Sequence, residues 1–282
     1  MRKIFISIFL VLCCFFSAAQ NSIQVKLWTG EDGEIVNEKP VLKSWIPAEE
    51  ITEATLTIYP AKNPNGQAVI ACPGGGYAGI AVTHEGHDMA NWFNAQGITY
   101  AVLHYRMPNE KHEIPLGDAH QAIRYMRKHA EKWHIQQLGI MGSSAGGHLA
   151  STAATHFMDD TRLDFQILFY PVITMKEYTH QGSKKNLLGK KPNEELVNLY
   201  SNELQVKSQT PPAFIMHSSD DKVVPVCNSV NYYMALTDKG ILSSLHLYPI
   251  GGHGWGFGDN FIYKRQWTGE LEKWLREIKN KQ

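Results

Sequence analysis

The chain has 282 residues, and its 27 basic and 27 acidic residues give a formal net charge of zero. Its 43% hydrophobic and 19% charged content is that of a globular protein, not of a disordered chain or a membrane protein. Because no basic stripe is visible, nucleic acid is not an expected partner. One α/β domain of this length can bury a substantial core.

The amino terminus has the pattern of a secretory signal peptide. Arg2 and Lys3 precede an apolar run over 4–16, and small residues follow up to Ala19. The run is shorter than the roughly 20 residues that a spanning helix needs, which disfavours a membrane anchor. We therefore expect cleavage after Ala19 and a secreted or periplasmic mature chain, 20–282, without stable membrane insertion. Losing two of the 27 basic residues leaves 25 against 27 acidic residues, a net charge of about −2.

The four cysteines do not form a disulfide framework. Cys13 and Cys14 leave with the signal peptide, because the bulky residues before them make a poor lipoprotein cleavage site. Cys72 and Cys227 remain, too few for a disulfide-rich scaffold. Cys72 ends an apolar run and is expected to be buried, but a single Cys72–Cys227 bridge stays open.

From residue 67 onward, short apolar runs alternate with longer segments of helical spacing. The predicted strands are Gln67–Cys72, 99–105, 138–141, 165–170, 213–217 and 245–248. The predicted helices are 88–96, 116–133, 146–155, 226–239 and 263–279. This alternation predicts an α/β fold with a mostly parallel sheet and helices on both faces. Two earlier runs, 23–28 and 54–59, are expected as antiparallel edge strands.

One stretch breaks the alternation. About forty residues between Tyr170 and Ala213 contain no clear strand, only a helix-like piece at 193–200 and many polar residues. A long insertion in a compact domain is usually a lid or a binding loop. We expect a small helical cap over about 174–208 within a single catalytic domain, 20–282, with 187–200 folding over the acyl side of the site.

The strongest motif is G-S-S-A-G at 142–146, which fits G-x-S-x-G only with Ser144 at its centre. It lies directly after a predicted strand and before a predicted helix, as a nucleophile on a strained strand-to-helix turn requires. The alternative, an ordinary Gly-Ser turn, does not explain that context. Ser144 is therefore the predicted nucleophile.

A glycine-rich loop, P-G-G-G-Y at 73–77, follows the first core strand. Its glycines allow the backbone to approach a substrate, so Gly75 and Gly76 are predicted to donate N–H groups to an oxyanion. Ala145 is expected to supply a further N–H. The loop lacks the residues of a phosphate-binding P-loop and the spacing of a dinucleotide fingerprint.

The acid and the base are expected on the last loops. Asp220 and Asp221 follow the strand at 213–217, and His253 lies among glycines after the final strand. The chain order of serine, aspartate and histidine is that of α/β-hydrolases. With thirteen histidines in the chain, His253 is singled out by its position and its flanking glycines.

Together these motifs resemble those of the bacterial acetylxylan-esterase-like α/β-hydrolases from about residue 67 to the carboxyl terminus. The matching stretches are P-G-G-G-Y at 73–77, H-Y-R-M-P at 104–108, M-G-S-S-A-G-G-H-L-A-S at 141–151, T-P-P-A-F at 210–214, S-S-D-D-K-V-V-P-V at 218–226 and G-G-H-G-W-G at 251–256. In that family the acid lies four residues before the proline, so Pro225 points to Asp221 and not Asp220. Pro73 and Ser143 depart from the histidine and the apolar residue common in relatives.

Several other residues attract attention. His84-Glu85-Gly86-His87 is similar to a zinc-protease motif, but its histidines are three apart, not four, so it is interpreted as an ordered loop. Arg106 and Asp118 resemble a structural ion pair of the family. Tyr77 and Trp255 adjoin the oxyanion loop and the base, where they either stack on a sugar ring or pack in the core.

The sequence thus predicts a serine esterase that needs no cofactor or metal. The resemblance implies a short acyl group, most simply acetyl, on a carbohydrate. A peptidase of the prolyl-oligopeptidase type shares the fold and the triad, but fewer than seventy residues precede the first core strand. A non-catalytic binding protein is the third interpretation, and an intact triad disfavours it. The oligomeric state is not predicted.

Overall fold

The computed structural model describes residues 22–30, 33–36, 43–109 and 111–280. The predicted signal peptide, 1–19, with Cys13 and Cys14, lies outside the described residues. Within the described part of the chain, no helix is both long enough and apolar enough to cross a bilayer.

The strands and helices alternate along most of the chain. The strands are β1 Ile23–Lys26, β2 Glu34–Val36, β3 Ile46–Pro47, β4 Thr55–Tyr59, β5 Gln67–Cys72, β6 Gly79–Ile80, β7 Thr99–His104, β8 Gln137–Ser143, β9 Phe165–Phe169, β10 Ala213–Ser218 and β11 Ser243–Tyr248. The helices are α1 Ala90–Ala95, α2 Glu113–Lys128, α3 Ala145–Thr155, α4 Gln181–Leu188, α5 Glu194–Leu199, α6 Cys227–Asp238 and α7 Lys264–Lys279.

Nine strands form one sheet in the order β11-β10-β9-β8-β5-β7-β4-β1-β2. The six from β11 to β7 pair in parallel, whereas β4, β1 and β2 pair antiparallel with their neighbours. The predicted mostly parallel sheet is therefore confirmed. The two early runs do form antiparallel strands, but the prediction that they lie at the edge was wrong: β4 lies between β7 and β1, β1 lies between β4 and β2, and the outermost described strand is the short β2.

Two helices begin or end at residues that differ from the prediction. The helix expected at 116–133 begins earlier, at Glu113, because Pro115 is tolerated in a first turn. It ends at Lys128, and Trp133 belongs to a separate short turn that His134 closes in the left-handed conformation. The helix expected at 88–96 is shorter: α1 covers only Ala90–Ala95, and a single 3₁₀ turn at His87–Met89 precedes it.

Both faces of the sheet are buried, which explains the continuous apolar runs of the central strands. In β5, Ile70 packs into the core under α2, α3 and α6, while its neighbour Val69 packs into the core under α1 and α7. Both side chains are fully buried. Cys72 is also buried, and both Cys72 and Cys227 are free thiols, so the bridge left open by the sequence is not formed.

The insertion between β9 and β10 carries α4 and α5. The Asn202 side chain donates to Ser151 Oγ of α3 over 2.7 Å, and the Asn228 carbonyl of α6 accepts from the Ile173 N–H over 3.0 Å. These bonds fix the insertion on the body of the fold. The piece predicted at 193–200 forms α5, whereas α4 was not predicted, because its mostly polar sequence has a weak apolar pattern.

Candidate active site

The predicted site residues meet at the carboxyl ends of four parallel strands. The loop after β5 contains the glycines, and Ser144 follows β8 directly. Asp221 follows β10, and His253 follows β11. Because parallel strands all end at the same edge, residues far apart in sequence converge there.

Ser144 lies on a strained turn between β8 and α3. Its backbone has φ 53° and ψ −120°, a conformation that few non-glycine residues adopt. A side chain on Gly142 would collide with the Gly146 carbonyl, and one on Gly146 would collide with the Cys72 carbonyl. The two glycines of the motif are therefore required for the sharp turn that presents Ser144.

A chain of hydrogen bonds joins the predicted nucleophile, base and acid. His253 Nε2 lies 2.8 Å from Ser144 Oγ, and His253 Nδ1 lies 2.6 Å from Asp221 Oδ2. A carboxylate accepts only, so Nδ1 carries the proton and Nε2 accepts from the serine hydroxyl. This is the tautomer that can take a proton from Ser144.

Asp221 is buried and fully hydrogen-bonded. Its Oδ1 accepts from the N–H groups of Val223 and Val224, and its Oδ2 accepts from His217 Nε2 over 3.1 Å as well as from His253. Burial alone acts to raise the pKa of Asp221, but the hydrogen bonds from His217 and His253 lower that pKa well below its usual range. The carboxylate therefore stays ionised. His217 was not predicted, because a histidine inside a strand gives no local signal.

Asp220 has a different place from its neighbour. It is exposed, and its Oδ1 accepts from the Gly252 N–H over 2.8 Å. Asp220 therefore binds the backbone of the loop that carries His253, whereas Asp221 is hydrogen-bonded to the imidazole of His253.

Three backbone N–H groups, in the loop after β5 and at the start of α3, have no acceptor among the described residues. The Gly74 N–H is already bonded to Glu85 Oε2 over 2.7 Å. By contrast, the N–H groups of Gly75, Gly76 and Ala145 donate to no acceptor in the described residues. These are the three N–H groups that the sequence predicts as oxyanion donors, and that role stays a prediction.

Glu85 is buried and links the glycine loop at 73–77 to the loop at 251–256 that carries His253. Its Oε2 accepts from the Gly74 N–H, and its Oε1 accepts from Tyr170 OH over 2.7 Å. Tyr170 OH in turn accepts from the Gly256 N–H over 2.8 Å, and the Tyr170 ring packs edge-on against His253. From its sequence Glu85 is expected in an ordered structural loop, and its hydrogen bonds to Gly74 and Tyr170 become visible only in the folded structure.

Replacing Glu85 with alanine should lower kcat by about 100-fold and also destabilise the fold. The change leaves the Gly74 N–H and Tyr170 OH buried without an acceptor, at about 1–3 kcal/mol each. Displacing the oxyanion loop by a fraction of an ångström accounts for the loss of rate. Glu85→Gln keeps one carbonyl oxygen as an acceptor, so kcat should fall only about tenfold. Steady-state kinetics with thermal melting separate the two effects. Normal kcat in a folded Glu85→Ala protein would contradict this role.

Tyr77 and Trp255 pack in the core. Tyr77 is 3% exposed, and its hydroxyl donates to His148 Nδ1 over 2.8 Å. Trp255 is 5% exposed, stacks on Phe261 and donates its indole N–H to Ser218 Oγ over 3.0 Å. Of the two alternatives left by the sequence, sugar stacking is therefore disfavoured, because neither ring has a free face.

Two further sequence features also have structural roles. His87 Nδ1 lies 2.8 Å from Tyr59 OH and its Nε2 lies 3.2 Å from His104 Nε2, and burial lowers the pKa of His87 to about 4. Arg106 and the fully buried Asp118 form the expected ion pair, at 2.6 Å. Within the described ranges, no three His, Cys, Asp or Glu side chains are grouped to hold a metal ion.

Known proteins resemble this chain in sequence and in fold. Residues 56–236 match the family model described as BD-FAE. An acetylxylan esterase from Xylanibacter ruminicola is 43% identical over 233 residues, covering 80% of this chain and 48% of that protein. The endo-1,4-beta-xylanase B of Butyrivibrio fibrisolvens is 40% identical over 203 residues, covering 66% of this chain and 32% of that protein. The chain thus spans about half or less of the length of these curated relatives.

A solved structure is similar over nearly its whole length. The acetyl ester-xyloside bifunctional hydrolase from Caldicellulosiruptor lactoaceticus is 38% identical, with a TM-score of 0.79 over 90% of this chain and 96% of that one. The predicted α/β-hydrolase fold is confirmed by this likeness.

Proposed function

Since the chain belongs to the BD-FAE family, we propose that it is a carboxylic ester hydrolase that uses a Ser-His-Asp mechanism. The observation that carries the proposal is the continuous chain of hydrogen bonds from Ser144 through His253 to Asp221. These bonds end at a serine on a strained turn, next to an Ala145 N–H that has no acceptor among the described residues, and acyl transfer uses such an arrangement.

Each residue has a defined step. Ser144 Oγ attacks the ester carbonyl as His253 Nε2 takes its proton, and the ionised Asp221 stabilises the imidazolium that forms. The N–H groups of Gly75, Gly76 and Ala145 bind the oxyanion. His253 then protonates the leaving alcohol, and a water activated by His253 releases the acid from the acyl-enzyme.

The substrate we propose is a short-chain ester, most simply acetate, on an oligosaccharide or polysaccharide. The names of the relatives support it, since both curated relatives carry xylan-related names. A cleft of about 340 Å³ between Tyr77 and α4, which none of Ser144, Asp221 and His253 lines, offers a place for a sugar away from the ester. Its walls include Asn109, Asn186 and Lys185, side chains suited to bind sugar hydroxyls.

We expect kcat/KM to fall as the acyl chain lengthens. The cap is held against the loop at 73–77 by Asn186, whose amide donates to the Gly76 carbonyl over 2.8 Å, and charged side chains such as Lys185, Glu194 and Glu195 lie at its surface. A long acyl chain gains about 0.8 kcal/mol per CH₂ only where it is buried in an apolar pocket. The measurement is kcat/KM for 4-nitrophenyl acetate, butyrate and octanoate, together with acetate release from acetylated xylan and pectin.

Faster cleavage of octanoate than of acetate would overturn the short-acyl assignment. Activity on every nitrophenyl ester without acetate release from any glycan would retain the esterase and reject the carbohydrate substrate.

We also propose that residues 20–282 form a single secreted or periplasmic catalytic domain, with a cap at about 174–208. The support is the charged and apolar pattern at the amino terminus. Mass spectrometry of the exported protein tests it, since the expected amino terminus is Gln20.

A further inference from the structure

His180 lies at the start of α4 and has no part in the mechanism above. It is the N-cap residue of that helix, with an extended backbone. Its Nδ1 accepts from the Ser183 N–H over 3.2 Å and lies 2.8 Å from Ser183 Oγ. Capping of the helix explains the contacts of Nδ1, but it gives no role to Nε2 on the other side of the ring.

The bonds from Ser183 determine which ring nitrogen carries the proton. A backbone N–H can only donate, so Nδ1 of His180 is the unprotonated acceptor. In the neutral imidazole the proton then lies on Nε2, which makes Nε2 a donor. Nε2 has no hydrogen-bond partner among the described residues, and His180 is partly exposed. The ring therefore offers one oriented N–H to a ligand.

The ring lies over the oxyanion loop beside the triad. A methyl group placed on Gly76 would come 3.5 Å from His180 Cε1, and Asn186 of the same helix donates to the Gly76 carbonyl. Burial lowers the pKa of His180, the nearby His253 imidazole lowers it further, and Asp221 partly offsets this. His180 is therefore a neutral donor at neutral pH, suited to an uncharged oxygen acceptor.

We propose that His180 is a specificity-determining residue, whose Nε2–H binds an oxygen of the sugar that carries the ester. This inference rests on the proposed function, because it assigns a partner to the alcohol part of the same substrate. The proposed mechanism assigns three backbone donors to the carbonyl oxygen, and His180 is the side chain that a methyl group on Gly76 would meet. An ester without sugar oxygens cannot use this bond.

The test is the ratio of kcat/KM for an acetylated xylo-oligosaccharide to that for 4-nitrophenyl acetate. His180→Asn is the informative variant, because the asparagine carbonyl still caps α4 by accepting from the Ser183 N–H. Asparagine has no N–H group that reaches as far as Nε2–H of the histidine. We expect the ratio to fall about tenfold, as for the loss of one neutral hydrogen bond. His180→Gln, whose amide reaches farther, should restore part of the ratio.

His134→Asn is the matched control. His134 is exposed and left-handed, a conformation that asparagine tolerates, so both rates should stay at wild-type values. A wild-type ratio in His180→Asn overturns the inference, and so does an equal fall on both substrates. If the wild-type protein hydrolysed neither ester, the proposed esterase function would be overturned, and if it hydrolysed only 4-nitrophenyl acetate, the carbohydrate substrate would be rejected; the inference about His180 fails in both cases.

Discussion

Replacing Ser144 with alanine should lower kcat by at least about 10⁴-fold while the protein remains folded. The reason is that Ser144 Oγ is the oxygen bonded to His253 Nε2, so the variant has no nucleophile. The side chain is small and lies at the edge of the core, so its removal should move the melting temperature little. The measurement is kcat on 4-nitrophenyl acetate, with circular dichroism to verify the fold.

Ser143→Ala is the matched control for this variant. Ser143 is fully buried at the end of β8, one residue before the turn, and it is not the serine that meets His253. We expect it to retain most of the activity. Wild-type kcat in Ser144→Ala would end the serine-hydrolase proposal, and a greater loss in Ser143→Ala would transfer the role to that residue.

Asp221→Asn should cost about 10³–10⁴-fold in kcat. If the asparagine carbonyl takes the N–H groups of Val223 and Val224, its amide nitrogen faces His253 Nδ1. Nδ1 must then accept, which moves the imidazole proton to Nε2, where it opposes the Ser144 hydroxyl. The charge that stabilises the imidazolium is lost as well. A pH–rate profile measures the effect, and part of the activity should return at alkaline pH, where a serine alkoxide forms without the base.

Asp220→Asn is the companion variant. Its amide oxygen can still accept from the Gly252 N–H, so the base loop keeps its anchor. We expect kcat within about threefold of wild type, the range of an ordinary surface change. A loss in Asp220→Asn that matches or exceeds the loss in Asp221→Asn would contradict the assignment of the acid.

The amino-acid sequence by itself determined the features that depend on neighbours in the chain. The turn around Ser144 has a local signature because the close approach of Gly142 to Gly146 excludes side chains there. The buried strands are visible because two covered faces require continuous apolar runs, as in β5. The chain order of Ser144, Asp221 and His253 follows from loops at the carboxyl ends of parallel strands.

Only the tertiary structure decided which polar and aromatic side chains meet. Glu85 has the same local sequence whether it lies in solvent or bridges Gly74 and Tyr170, since its partners are eleven and 85 residues away. His180 precedes a mostly polar helix that Leu187 and Leu188 pack into the core and that Asn186 bonds to Gly76, contacts that only the folded chain brings together. Burial of a polar group and the direction of its hydrogen bonds depend on residues distant in the chain, so local composition cannot specify them.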